Sequence, residues 1–251
     1  VSLDPKLADA YSDQPTLKVD YSTVMDQESW FSVRDGSVFS VGKVNNYVPV
    51  TCGLNQTSNS QCATAVDGLI WTKSNSSGLS SYDRVTNTSR EYLNKSLEIK
   101  NYNYTYFKNN YLIKWGVGTT VAVSGDQPQL WSEINGLSGI IMVNGNLTID
   151  ENISSNDFKV VVASGDIIID AQVNQVKAVL VAPRIIASGQ SDQQLIITGS
   201  LYATNSVTLN RSFINKPDNN QTPAVRVDYD PSIIFKMPKE IAKKITQWRL
   251  E

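Results

Sequence analysis

Residues 141–149 (IMVNGNLTI) return 20 residues later as residues 161–169 (VVASGDIII), and alternate positions correspond: Ile141 with Val161, Val143 with Ala163, Gly145 with Gly165, Leu147 with Ile167, Ile149 with Ile169. A period near 20 residues implies stacked units, each too small to hide its own apolar face. The frame continues 18 residues on through Val179, Val181, Pro183, Ile185 and Ala187, and 16 further through Leu195, Ile197, Gly199, Leu201 and Ala203. Apolar residues at every second position are those of strands, and a Gly or Pro in mid-copy marks a corner. Each copy therefore reads as two short strands around a bend. Coils stacked at strand spacing put like residue over like, which predicts a parallel β-solenoid. The competing arrangement is an antiparallel sandwich whose strands are similar by accident. The period shortens where polar turns such as 151–156 and 188–194 differ in length outside the interior.

Residues 225–229 (VRVDY) read as a fifth coil, reached through the polar turn 215–222. Residues 35–39 (DGSVF) have the form of a partial first coil. Val121, Val123 and Gly125 precede Ile141, Val143 and Gly145 by 20 residues, although Gln127 and Gln129 then occupy interior places. The expected organisation is an N-terminal arm with a partial first coil (1–44), an inserted irregular β-rich, disulfide-containing segment (45–135), the β-solenoid (136–237) and a C-terminal cap (238–251). In the cap, Pro238 opens a pattern with Ile241, Ile245 and Trp248 on one helical face. A solenoid end exposes strand edges, so a short capping helix is expected there, with docking on a partner as the alternative. The fold class is thus mainly β.

Composition narrows the chemistry. Across 251 residues, 22 Lys+Arg face 24 Asp+Glu without any basic run, which leaves nothing to neutralise a row of phosphates and argues against nucleic acid. Histidine is absent, which removes Ser-His-Asp and Cys-His catalysis and the commonest transition-metal ligand. No stretch reaches the ~18 apolar residues of a membrane span, and residues 1–20 lack the pattern of a secretory signal. The chain starts at Val1 rather than Met, which suggests a processed or excised part of a longer protein.

Cys52 and Cys62 enclose nine polar residues, a loop in which a disulfide replaces a core and which favours an oxidising location. Nine N-x-[ST] sequons, at Asn55, Asn75, Asn87, Asn94, Asn103, Asn146, Asn152, Asn210 and Asn220, are candidate glycosylation sites. Carboxylates are the remaining candidates for acid–base work. Asp166 and Asp170 share a coil, and Asp150 is equivalent to Asp170 on the coil before, as in solenoid enzymes that stack acids along one flank. Yet Asp166 aligns with Asn146 below and Arg184 above, which predicts an outward ladder with an Asp166–Arg184 ion pair. Calcium could bind at Asp228 and Asp230 or at turn acids, but no EF-hand or Gly-rich nonapeptide repeat occurs, nor any P-loop or nucleophile-elbow pattern, so neither metal, cofactor nor catalytic residue is assigned. The aromatic run Tyr102, Tyr104, Tyr106, Phe107, Tyr111 and Trp115 puts three tyrosines on one face if extended, a candidate surface for a glycan or protein partner. Packing of the inserted segment on the solenoid flank is its other use.

The succession of a Trp-Phe and DGSVF start, a Cys-bounded polar loop, GIIMVNGNLTI coils, then ITGSLYA, NRSF and YDPS before a terminal Trp resembles uncharacterised, repetitive surface or secreted proteins of candidate-phyla (Patescibacteria-type) bacteria. A looser likeness is to bactofilin-type solenoids, from which the long insertion departs. The resemblance implies an extracellular protein with a solenoid end domain and brings no catalytic residues. The expected function is a non-enzymatic cell-surface structural or adhesion protein whose partners are copies of itself or other surface proteins. A carbohydrate-active or glycan-binding β-helix is the alternative.

Overall fold

A computed structural model describes residues 30–40, 65–66, 69–72, 102–114, 116–122, 127–154, 157 and 159–230. The cap expected over 238–251 lies outside them, as do Cys52, Cys62 and Trp115. In chain order the described elements begin with β1 (Phe31–Arg34), β2 (Ser37–Ser40), β3 (Ala65–Val66) and β4 (Leu69–Thr72). A short helix α1 (Tyr104–Phe107) runs into a π-helical stretch, Lys108–Ile113, and leads to β5 (Thr119–Ala122) and β6 (Gln129–Leu130). The repeats supply β7 (Gly139–Asn144), β8 (Leu147–Ile149), β9 (Lys159–Ala163), β10 (Ile167–Ile169), β11 (Gln175–Ala187), β12 (Gln190–Ser191), β13 (Leu195–Leu209), β14 (Ser212–Phe213) and β15 (Val225–Asp228).

Every strand pairing among the described residues is parallel, apart from one isolated antiparallel bridge between Asp35 and Asp228. This is the parallel β-solenoid that the repeats predict, and the sandwich is excluded. Each full turn has three faces rather than two. The first stacks β5, β7, β9, the middle of β11, the middle of β13, β2 and β4. The second stacks β6, β8, β10 and the ends of β11 and β13. The third stacks Ile153, the starts of β11 and β13, then β15, β1 and β3.

The third face explains where the repeat register drifts. Val161 pairs with Leu180, not with Val179, because the corner of β11 at Pro183–Arg184 is one residue shorter than Ser164–Gly165–Asp166. Val179 and Val181 consequently point outward, while Ile185 and Ala187 keep the predicted places over Ile167 and Ile169. In the next coil Leu201 and Ala203 lie over Leu180 and Ala182, and Val207 and Leu209 continue the second face. Leu195 and Ile197 belong to the third face, so the fourth copy was one face out of frame. The coil at Val121 exists but is displaced by two residues: Val121 stacks on Val143, and Thr119 on Ile141. Gln129 does occupy the column of Leu147.

The interior consists of continuous columns. Ile141, Val161, Leu180, Leu201, Val38 and Ile70 follow one another up the first face, all essentially buried. Each such side chain contributes roughly 1.5–3 kcal/mol on burial. The lower end is closed by Trp131, buried in the 3-10 turn Trp131–Glu133, with Ile134 and Leu137 packed beside it on the core. The Lys159 ammonium lies 5.8 Å from the centre of the Trp131 ring and donates to the Leu137 carbonyl, so its charge is desolvated against a ring face and a carbonyl dipole.

The upper end is built from the start of the chain. Residues 35–39 are not a first coil at the bottom of the stack. β2 pairs with β13, and β1 with β15, so the N-terminal strands continue the solenoid beyond its C-terminal coil. Between them the chain steps over the end of β15 at Asp35, which has φ 52°, and Gly36. A Cβ on Gly36 would stand 2.9 Å from the Val227 carbonyl oxygen, so the step requires glycine. Trp30 fastens the same region by donating its indole N–H to the Asn219 carbonyl at 2.8 Å. The chain therefore runs from the top of the shaft at β4 to its foot at β5, and α1 and the π-helical stretch lie along the first face between them.

Candidate functional surface

The aromatic run is helical, not extended, and this redirects its side chains. Tyr104, Phe107, Tyr111 and Leu112 pack over the outward side chains of the first face, Ile140, Met142, Val160, Val162, Val181 and Tyr202. The rings engage one another: Tyr102 with Tyr202 at 5.6 Å, Tyr102 with Tyr106 at 5.0 Å, and Phe107 with Tyr111 at 5.3 Å. Burial, followed by the neighbouring Tyr106, pushes the Tyr111 phenol up to about 12. Asn103 starts the helix by accepting from the Tyr106 N–H at 2.9 Å. These tyrosines serve mainly to fasten the returning segment to the shaft, and Tyr102 keeps the most exposed edge of the group.

The flanks carry side-chain ladders along the stacking direction. Arg184 Nε donates to both Asp166 oxygens at 3.0 Å, and its Nη2 donates to Oδ2, as the alignment of those positions predicts. Asn146 Oδ1 accepts from the Asp166 N–H at 2.8 Å. At the corner before the third face, Asn152 Oδ1 accepts from the N–H groups of Asn174 and Gln175, its Nδ2 donates to Asn174 Oδ1 at 2.9 Å, and Asn174 donates on to Gln193. Two of the sequon asparagines are thus part of the stitching between coils. Asn210 is exposed, only the backbone of Asn220 is described, and Asn55, Asn75, Asn87 and Asn94 lie outside the described residues.

Asp150 and Asp170 occupy equivalent places on successive coils but behave oppositely. Burial works against the charged Asp150 carboxylate, yet hydrogen bonds from the Ser132 hydroxyl and N–H, aided by backbone N–H groups, outweigh it and hold Asp150 below the ordinary carboxylate range. Asp170 is raised, by burial first and then by the charge of Asp150. Elsewhere Arg226 chelates Asp228, Asn135 donates to Glu151, and Gln129 donates to Glu133. Among the described residues no three His, Cys, Asp or Glu side chains are grouped to hold a metal ion.

One residue that repeats and motifs do not reveal is Arg211, buried inside the corner between the second and third faces. Its guanidinium reaches past the intervening coil to the carbonyls of Val173 and Ala171, stapling three coils. Burial lowers its basicity, and the charge of Asp192 partly offsets this.

The second face differs from the first in having no described element over it. Its outward side chains form three flat rows. The central row is Thr148, Ile168, Ile186 and Thr208, with Leu130 below. Asn146, Asp166, Arg184 and Ser206 flank it on one side, and Asp150, Asp170, Ser188 and Asn210 on the other. Ile168 and Ile186 remain partly exposed. No described helix is long and apolar enough to cross a membrane. Comparison with family models, with curated proteins and with solved structures returns no match.

Proposed function

We propose that this chain is a non-enzymatic structural or adhesion module of a cell surface: a rigid β-solenoid shaft whose flanks meet copies of itself or another surface. The observation that carries this reading is the use made of the carboxylates. Asp150, Asp166 and Glu151 are engaged by donors from adjacent coils, and Asp228 and Glu133 by donors close by in their own segments, so these five acids, of the kind a carbohydrate-active solenoid would aim at a bound sugar, are committed to structural contacts. Cys52 and Cys62, read from their spacing as a disulfide, and the sequons support an extracellular setting. A shaft with regular flanks presents outward rows of side chains at strand spacing, which suits lateral association.

Electron microscopy and sedimentation of the purified protein test the reading. Ordered rods, sheets or discrete oligomers are the expected result. A protein that stays monomeric at high concentration, binds no surface component and cleaves a polysaccharide would overturn it in favour of an enzyme.

A further inference from the structure

The second face, over which no described element lies, has a pattern that fits itself. Read up the shaft from Thr148, its central row is Thr148, Ile168, Ile186, Thr208, which is the same in either direction by residue type, while Leu130 one coil below lies beyond the four-coil patch. The flanking row is Asn146, Asp166, Arg184, Ser206, in which reversal exchanges the acid with the base. Resting on the assembly reading above, we infer that this face is a two-fold contact between copies of the chain, with the symmetry axis along the strand direction and midway between the Asp166 and Arg184 coils.

That axis reverses the order of coils and preserves the rows, so the two shafts lie antiparallel. Ile168 then covers Ile186 of the second copy and Thr148 covers Thr208. Asp166 meets Arg184 of the other copy, so the two intramolecular ion pairs join into a four-charge network. On the remaining row Asp170 meets Ser188 and Asp150 meets Asn210, so the acids face uncharged groups. The alternative two-fold, along the shaft, superposes the two flanking rows instead. It sets Asp166 against Asp170 and is disfavoured by like charge. On the first face the outward aliphatic residues are covered by the chain's own helix, whereas here Ile168 and Ile186 retain exposure.

Four coils at ~4.8 Å spacing and five residues of strand give a patch of roughly 300 Å² per copy. This is below the ~1,200 Å² total of stable complexes, so the contact is weak and fills at the high local concentrations of an array.

Charge exchange tests the arrangement by sedimentation velocity at a series of concentrations up to the millimolar range. The unaltered chain is expected to self-associate. Asp166→Arg alone places arginine against arginine across the axis, and Arg184→Asp alone places aspartate against aspartate, so each variant is expected to associate at least tenfold more weakly. An equimolar mixture of the two restores complementarity and is expected to recover association, which a folding defect in either variant would not allow. If both single variants associate as the unaltered chain does, the face is not the contact, while the assembly reading stands on another surface. If the mixture fails to recover, the antiparallel two-fold is wrong. An unaltered chain that is monomeric throughout overturns the contact, and the micrographs then decide the assembly reading separately.

Discussion

Arg211 shows how a single side chain can join coils that are not neighbours. The arginine supplies hydrogen bonds to carbonyls at Val173 and Ala171 that no backbone strand pairs. Arg211→Met removes those bonds and leaves buried acceptors unsatisfied. A loss of about 2–4 kcal/mol in urea unfolding is expected. Lysine lacks the fork that sends Nη1 and Nη2 to separate carbonyls and is expected to rescue only part of the loss. Asp170 gives a pH-dependent case. Its folded-state pKa is raised, so the folded protein prefers the protonated carboxyl, and stability from this group declines as pH rises from the unfolded value through the folded one. Asp170→Asn is therefore expected to raise Tm at pH 7, with the advantage vanishing below the ordinary carboxylate range. Asp150 has the opposite sign: its contribution is present above its unfolded pKa and is lost as pH falls through the lowered folded value. The lowering of Asp150 is not legible from the repeat, because it depends on Ser132, which belongs to the preceding coil and has no counterpart in the copies.

Among the elements, the alternation that defines the strands is also the most direct test of register. Ile167 and Ile168 are adjacent and chemically identical, yet Ile167 is fully buried and Ile168 lies on the open face. Ile167→Ala is expected to cost about 2–5 kcal/mol through the cavity left in a packed column, and Ile168→Ala less than about 1 kcal/mol, by chemical denaturation. Two copies of the repeat, 141–149 and 161–169, were fully legible because their corners have the same length. The later ones were not. One deleted corner residue in β11 inverts which valines face inward, since a single-residue slip exchanges the two sides of a strand. The third face was hidden because its strands merge with β11 and β13 without an intervening turn. The helix of the returning segment was also hidden: Tyr, Thr, Phe and Asn are indifferent helix formers, and it is the greasy outer side of the first face that fixes it there.

For the molecule as a whole, the closure of the upper end by β1 and β2 is the feature no repeat announces, because the pairing joins residues nearly the length of the chain apart. Phe31, Val33 and Val38 continue the interior columns over Val225, Val227 and Leu201. Gly36→Val brings a Cβ against the Val227 carbonyl, and hydrogen exchange is expected to quicken selectively at 225–228 while the amides of β9 and β10 keep their protection. The outer surface sets a second global constraint. Asn146 and Asn210 border the open face, so a glycan on either excludes the two-fold contact. Protein carrying sugar at those positions is expected to sediment as a monomer at concentrations where the unmodified chain associates, with its Tm little changed.

The position of β1 beside β15 also orders events in time. A nascent chain leaving the ribosome presents its early strands long before the edge that receives them has been synthesised, so β1 and β2 have only β3 and β4 as partners until residues 195–228 are available. Such distant partners make for slow folding. The shaft from β7 to β13 needs only neighbouring coils, so the docking of β1 and β2 on its upper edge is the step that comes late.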